Sequence, residues 1–151
     1  MKKLLTILGV IFVCLIVAGG IVSSGLYYFA SRLDMEARAY IDKIIPIIAT
    51  SWSSEELINH ASPEFLQEMP PEKIDLLFDI LSKHIGPLEE YKGANGKIDI
   101  SISSEGKPII IGDYTAETVF KNGPAKIRIQ LIRRNDEWQI FGFLVKVKVK
   151  L

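Results

Sequence analysis

The sequence predicts an α+β protein in which an N-terminal transmembrane helix precedes helices packed on an antiparallel sheet of about four strands. Three observations support this fold class. Residues 4–30 carry no charge, residues 34–85 place apolar side chains at helical spacing, and residues 97–149 alternate apolar and polar side chains. Helices followed by a run of strands are typical of α+β domains. We divide the chain into residues 1–31, a membrane anchor, and residues 32–151, an α+β domain.

The uncharged run predicts a single membrane span. It covers 27 residues from Leu4 to Ala30, and a helix needs about 20 apolar residues to cross a bilayer. Lys2 and Lys3 precede it, so the positive-inside rule predicts a cytoplasmic N-terminus and an extracytoplasmic domain at the cell (inner) membrane. The alternative is a signal peptide that is cleaved to release a secreted domain. Signal peptides have an apolar core of only about 7–15 residues, which favours the retained anchor.

Charge and cysteine content restrict the possible partners and cofactors. The chain has 18 basic and 18 acidic residues. Without Lys2 and Lys3 the domain keeps 16 bases against 18 acids, so bulk charge does not predict a nucleic-acid partner. Cys14 is the only cysteine and lies in the apolar run, which excludes an internal disulfide. His60 and His84 lie too far apart in sequence to indicate a metal site. We predict no cofactor and no metal.

The first helices of the domain are predicted from apolar spacing and capping residues. Residues 34–50 form an amphipathic pattern, and Pro46 is expected to kink or end that helix. Ser53 with Glu56 three residues later has capping-box spacing, and predicts a short helix to about residue 61. Ser62 followed by Pro63 predicts the start of another helix.

The clearest helix begins at Pro71. One apolar stripe runs along it, with charged residues on the other side, and Gly86 is suited to the left-handed conformation that ends a helix. The stripe comprises Ile74, Leu77, Phe78, Leu81 and Ile85.

The first hairpin of the sheet is predicted from alternation and from a turn at Asn122–Gly123. Residues 97–103 form one strand and residues 109–121 the next. Pairing through the turn places residue 120 opposite 125, 118 opposite 127, 116 opposite 129, and 114 opposite 131. One face then holds Phe120, Thr118, Ala116 and Tyr114 with Ile127, Ile129 and Leu131, and the other pairs Glu117 with Arg128 and Thr115 with Gln130.

A second hairpin is predicted at Asn135–Asp136, with Arg133 opposite Trp138, Leu131 opposite Ile140, and residue 129 opposite 142. The alternation changes phase after that point, so we predict a β-bulge near Phe141–Gly142 that keeps Trp138, Ile140, Phe143, Val145, Val147 and Val149 on one face. Lys146, Lys148 and Lys150 then form a solvated row that protects a sheet edge. Contact with anionic lipid or an acidic partner is the alternative role for these lysines.

Three segments resemble the NTF2-like (cystatin-like) superfamily: His84–Gly93 (HIGPLEEYKG), Tyr114–Leu131 (YTAETVFKNGPAKIRIQL) and Glu137–Val145 (EWQIFGFLV). More narrowly, the segments resemble small bacterial domains of unknown function that follow a signal or membrane anchor. The resemblance implies a curved sheet wrapped on helices with a cone-shaped cavity between them. Tyr114, Trp138, Leu131 and Phe78 are the candidate ligand-binding residues of that cavity.

The resemblance leaves function open, because the superfamily includes ketosteroid-isomerase-like enzymes and non-catalytic, membrane-anchored assembly subunits. An isomerase-like site needs a carboxylate base and a hydrogen-bond donor in one cavity. Asp113 and Tyr114 are adjacent on a strand and point to opposite faces, so we assign no catalytic residue. We expect a non-catalytic binding or assembly module, with an envelope protein as a possible partner. The alternatives are an enzyme using Asp113, Tyr114 or His84 as acid–base groups, and a secreted ligand-binding domain.

Overall fold

The computed structural model describes residues 1–148 and contains one long helix, three short helices and a four-stranded sheet. The helices are α1 (Lys2–Ser51), α2 (Ser54–His60), α3 (Pro63–Glu68) and α4 (Pro71–His84), and the strands are β1 (Leu88–Ile102), β2 (Pro108–Phe120), β3 (Gly123–Arg134) and β4 (Glu137–Val147). The strands form one curved antiparallel sheet in the order β1-β2-β3-β4. The predicted α+β class is confirmed. The predictions for Val149 and Lys150 lie outside the described residues.

The chain divides into two compact units, Met1–Leu33 and the residues from Asp34 onward. The first unit is the apolar part of α1. It is long and apolar enough to cross a membrane, and none of its most apolar stretch is buried. The length and composition of this segment therefore meet the requirements of a span.

In the second unit, α1 contributes an apolar stripe to the core and continues past Pro46. Of the two outcomes predicted for Pro46, a kink or the end of the helix, the second was wrong, because α1 extends to Ser51. Proline removes one amide donor, but Ile44, Ile45 and Ile48 around it are buried and hold the backbone in place. The helix ends where Trp52 takes a left-handed conformation with φ of 48°. The buried stripe comprises Ala37, Ile41, Ile44, Ile45, Ile48 and Ala49.

Capping by serine and glycine occurs where the sequence predicts it. The Ser53 hydroxyl accepts from the Glu56 amide at 3.3 Å, and the Ser62 hydroxyl accepts from the Phe65 amide at 3.2 Å. Gly86 ends α4 with φ of 76°. Four of the five residues in the predicted α4 stripe are buried, while Leu77 is half-buried. The predicted boundaries of these helices are therefore confirmed to within a residue or two.

The first hairpin has the predicted faces but a different register. Phe120 pairs with Gly123, so Lys121 and Asn122 form the turn and every predicted pair is displaced by two residues. A displacement of two keeps each side chain on its predicted face, and the predicted core-face residues are all buried. On the outer face Glu117 pairs with Lys126, with charged atoms 2.8 Å apart, and not with Arg128.

The second hairpin confirms the predicted bulge. Asn135 and Asp136 both have positive φ and form the turn, Arg133 pairs with Trp138, and Leu131 pairs with Ile140. Gly142 then pairs with Gln130, which leaves Phe141 as the extra residue. The predicted pairing of residue 129 with 142 was wrong, because the bulge places Phe143 opposite it.

β1 is longer than the sequence predicts, since it begins at Leu88 rather than residue 97. Two register shifts interrupt its first half, between Leu88 and Glu90 and between Tyr91 and Ala94. These irregularities obscure the two-residue period that reveals a strand in sequence. The second half pairs regularly with β2 as far as Ile102.

The core lies between the helices and the inner face of the sheet. Trp52 is part of this core: the indole stacks on Phe120 and meets Phe78 edge-on, each at 5.3 Å between ring centroids. The Trp52 Nε1 also donates to the Gly86 carbonyl at 2.8 Å. This one side chain therefore links the end of α1 to α4 and to the sheet.

Candidate functional site

The four candidate cavity residues lie in or against the core. Tyr114 and Leu131 are fully buried and Phe78 is 2% exposed. Trp138 is half-buried and packs on the edge of the same cluster. Tyr114, Leu131 and Phe78 are therefore part of the packed core, at the place where the resemblance implies a cavity.

The structure places the three candidate acid–base groups in three different environments. Asp113 lies on the outer face of β2, where two hydrogen bonds from Arg128, at 2.9 and 2.5 Å, lower the pKa of its carboxyl group. Tyr114 is in the core, and its hydroxyl donates to Asp34 at 2.5 Å. His84 is exposed at the end of α4, with Nδ1 2.8 Å from the Ile80 carbonyl. The structure does not bring these groups together.

Polar contacts join the start of the α1 segment in this unit to β1 and β2. Asp34 accepts from the Tyr114 hydroxyl and from Arg38, one helical turn later, at 2.9 Å. Arg38 also donates to the Ala94 carbonyl at 2.7 Å, and its guanidinium lies 5.6 Å from the centre of the Tyr114 ring. Burial and the Asp34 carboxylate raise the pKa of Tyr114 well above its usual range. The phenol therefore stays neutral and acts as a donor.

The other side of α1 contacts the β3–β4 hairpin through Arg133. Its guanidinium lies 3.2 Å from the Glu36 carboxylate and 5.7 Å from the centre of the Trp138 ring. Among residues 1–148, four buried polar side-chain atoms find no hydrogen-bond partner: Tyr40 Oη, Arg133 Nε, Trp138 Nε1 and Gln139 Oε1. Two of the four belong to the stacked Arg133–Trp138 pair. Burial raises the pKa of Tyr40 to about 12.

A groove of about 520 Å³ opens beside Arg133, between the β1–β2 turn and the β3–β4 turn. Its walls supply three cationic side chains, one carboxylate and an apolar surface. A groove with a few polar groups on an apolar surface suits a ligand or a peptide segment. The lining comprises Ser103, Glu105, Lys107, Pro108, Ile109, Ile132, Arg133, Arg134 and Asn135. We call this the end groove.

The cations of the end groove have acidic neighbours. Arg134 makes a bidentate contact with Glu64 on α3, which lowers the pKa of the Glu64 carboxyl to about 2. Lys107 lies 3.9 Å from Glu105, and both side chains are largely exposed. An incoming carboxylate or phosphate would compete with these pairs, so its affinity would depend on salt concentration.

The residues described here hold no group of three or more His, Cys, Asp or Glu arranged to bind a metal ion. Chemically, the end groove offers hydrogen-bond donors, cations and apolar contacts. Those groups bind and orient a partner.

No protein-family model, curated protein or solved structure matches this chain.

The contacts of the polar residues of α1 and the end groove were not predicted from the sequence. Asp34, Arg38 and Asp42 recur every four residues and lie on one side of the helix, and that spacing was the available signal. The same spacing is typical of any solvated helix face, so it did not distinguish contact from solvent. The groove joins two turns about 30 residues apart, and only the sheet order brings them together.

Proposed function

We propose that this chain is a single-pass membrane protein whose second unit is an extracytoplasmic, non-catalytic binding module of the NTF2-like type. The apolar segment Leu4–Ala30 supports the anchor, because it meets the length of a bilayer span and is unburied. Lys2 and Lys3 support a cytoplasmic N-terminus.

The observation that carries the binding role is the close packing of the inner face of the sheet around Tyr114 and Leu131. Tyr114, Leu131 and Phe78 pack there as core, and the Tyr114 hydroxyl is already bound to Asp34. The ketosteroid-isomerase-like alternative needs an accessible acid–base pair at that place. The end groove instead offers an open surface with both charge and apolar area, which suits a peptide segment of an envelope protein.

Site-specific photocrosslinking in native membranes tests this function. A photoreactive amino acid at Lys107, in the end groove, is expected to give a discrete adduct. The same group at Lys83, which is exposed on α4 away from the groove, is the matched control and is expected to give none. Charge reversal at the groove, Arg134→Glu, is expected to weaken the adduct several-fold.

Two outcomes contradict the proposal. Equal adducts from Lys107 and Lys83 would show that the groove has no special role. Turnover of a small molecule by the purified chain, lost on Tyr114→Phe or Asp113→Asn substitution, would establish the enzymatic alternative.

A further inference from the structure

The end of the β1–β2 hairpin exposes isoleucines on the same face of the sheet that forms the core. Ile98 pairs with Gly112 and Ile100 with Ile110, so both lie on the face that carries Tyr114. Ile100 is 47% exposed and Ile102 is 77% exposed. An apolar strand end of this kind in contact with water is unfavourable, and it suggests a contact surface.

The contacts of α1 show which way this hairpin points. Asp42 accepts from Tyr91 at 2.7 Å, Arg38 donates to Ala94, and Asp34 accepts from Tyr114, whose β1 partner is Gly96. α1 and β1 therefore run in opposite directions, so that moving along β1 toward its end means moving along α1 toward Asp34. The six residues of β1 after Gly96 extend about 20 Å beyond the level of Asp34.

Asp34 is the first residue of the second unit, and the uncharged run ends four residues earlier at Ala30. Four residues reach at most about 14 Å even when fully extended. The hairpin therefore projects from the same end of the second unit as Asp34, the first residue of that unit.

We propose that the tip of the β1–β2 hairpin is a second membrane contact, in which Ile100 and Ile102 enter the boundary between lipid headgroups and acyl chains. This contact rests on the membrane anchor of the proposed function and not on the end groove having a partner. Burial of apolar side chains at that boundary is favourable in proportion to the area removed from water.

The charges of the hairpin define the class of lipid. Lys97 lies 3.5 Å from Asp99, and Lys107 lies 3.9 Å from Glu105, so two cations along the hairpin are balanced by two carboxylates. A hairpin without net charge gains little from anionic lipid. The contact is hydrophobic, forms on a zwitterionic phosphatidylcholine bilayer, and persists in high salt.

A second copy of the chain fits this edge less well than lipid does. Antiparallel pairing of β1 with β1 of a second copy would reverse the partner along the strand. The two Asp34 residues, at which the second units begin, would then lie at opposite ends of the pair. Two chains anchored in one membrane would have to reach it from both ends of such a pair.

Fluorescence quenching by lipids tests the contact on the full chain. A single cysteine is placed by Ile102→Cys in a Cys14→Ser background, labelled with the environment-sensitive fluorophore NBD, and reconstituted in phosphatidylcholine vesicles. Leu76→Cys is the matched control, because Leu76 is a similarly exposed apolar residue (62%) on α4. We expect blue-shifted emission at residue 102. Quenching there by lipids with a nitroxide near the headgroup should be at least about threefold stronger than at residue 76, and unchanged in about 1 M NaCl.

The outcomes separate this contact from the proposed function. Equal emission and quenching at residues 102 and 76 would overturn the hairpin contact. A blue shift at residue 102 without nitroxide quenching would also overturn it, because that combination indicates protein contact. Retention of the chain in the vesicles after an alkaline carbonate wash is measured alongside. Loss of the chain in that wash overturns the membrane anchor and the hairpin contact together. Retention of the chain without a blue shift or quenching of the fluorophore at residue 102 overturns the hairpin contact alone.

Discussion

At the scale of single residues, two tyrosines differ in what their hydroxyl groups contact. The Tyr114 hydroxyl donates to the Asp34 carboxylate at 2.5 Å, whereas the buried Tyr40 hydroxyl has no hydrogen-bond partner in the part of the chain that is described. We expect Tyr114→Phe to lower the free energy of unfolding by about 1.5–3 kcal/mol, because a hydrogen bond to a charged group is lost. Tyr40→Phe should raise it by about 1 kcal/mol, because an unpaired buried hydroxyl is removed.

Urea unfolding of the full chain in detergent micelles, followed by tryptophan fluorescence, measures both changes. The two substitutions are chemically identical, so each is a control for the other. Destabilisation of similar size by both would show that the Tyr40 hydroxyl has a partner in solution.

The Glu64–Arg134 pair predicts a pH dependence with a defined sign. The Arg134 hydrogen bonds lower the pKa of Glu64 from 4.5 to about 2. A carboxyl group whose pKa is lower in the folded state stabilises the fold above its unfolded pKa, and this contribution is lost as pH falls from about 4.5 toward 2. The pair is largely exposed, so screening limits the contribution to about 0.5–1 kcal/mol.

Glu64→Gln should therefore lower the urea midpoint at pH 7, and its difference from the unmodified chain should shrink as pH falls from about 4.5 toward 2. Glu68→Gln, an exposed glutamate of α3 without an ion pair among the described residues, is the control and should change neither value. A constant difference between Glu64→Gln and the unmodified chain from pH 7 to pH 2.5 would contradict the assignment.

Capping residues were predictable from sequence, whereas Trp52 was not. Ser53, Ser62 and Gly86 act locally, through a hydroxyl acceptor or a positive φ that their neighbours in sequence reveal. Trp52 has a positive φ that its residue type does not favour. The stacking on Phe120 and the hydrogen bond to Gly86 hold it there, and both partners are distant in sequence.

At the scale of elements, the sequence predicted the faces of the strands better than their pairing. The first hairpin was displaced by two residues because Asn122–Gly123 was taken as the turn, whereas Lys121 and Asn122 occupy it. An alternation with a period of two is unchanged by a shift of two. The core face was therefore right while individual pairs, such as Glu117 with Arg128, were wrong.

Two glycines of the sheet, Gly96 and Gly142, lie close to atoms of a neighbouring strand. Replacing each by alanine tests how much the stability of the sheet depends on that close distance. A Cβ on Gly96 would lie 2.0 Å from the Asp113 carbonyl oxygen, whereas a Cβ on Gly142 would meet the side-chain oxygen of Gln130 at 2.7 Å. Backbone cannot move aside as a flexible side chain can. We expect Gly96→Ala to lower the free energy of unfolding by more than about 2 kcal/mol and Gly142→Ala by less than about 1 kcal/mol. Neither φ is positive, so the difference is spatial rather than conformational.

Urea unfolding measures the size of each effect, and amide hydrogen exchange shows its location. For Gly96→Ala, exchange should accelerate first in the second half of β1. Equal costs at the two positions would show that β1 moves away from β2 without loss of packing.

At the scale of the whole molecule, the two units can be predicted from the local sequence pattern, whereas the end groove depends on how the strands pair in three dimensions. The uncharged run and the α+β class follow from composition and period, which need no knowledge of contacts. The end groove needs the β1–β2 and β3–β4 turns to meet at one end of a sheet. The first half of β1 was not predicted, because its register shifts break the alternation. Candidate residues in the core could therefore be predicted from sequence, whereas the end groove on the surface is apparent only from the structure.

Membrane topology is the property of the whole chain on which the proposed function depends. Lys2 and Lys3 precede the apolar segment, so we expect the N-terminus in the cytoplasm and the second unit outside. In a Cys14→Ser background, Asn122→Cys in the exposed β2–β3 turn should react with a membrane-impermeant maleimide in intact cells. Lys3→Cys should react only after the membrane is permeabilised.

The flanking charges can also be exchanged, with Lys2 and Lys3 changed to glutamate and lysines placed at Asp34 and Glu36. This exchange should reduce labelling of residue 122 from outside the cell, because basic residues set the orientation of a single span. Labelling of residue 3 and protection of residue 122 in intact cells would reverse the assignment, and would place the end groove and the hairpin tip on the cytoplasmic side.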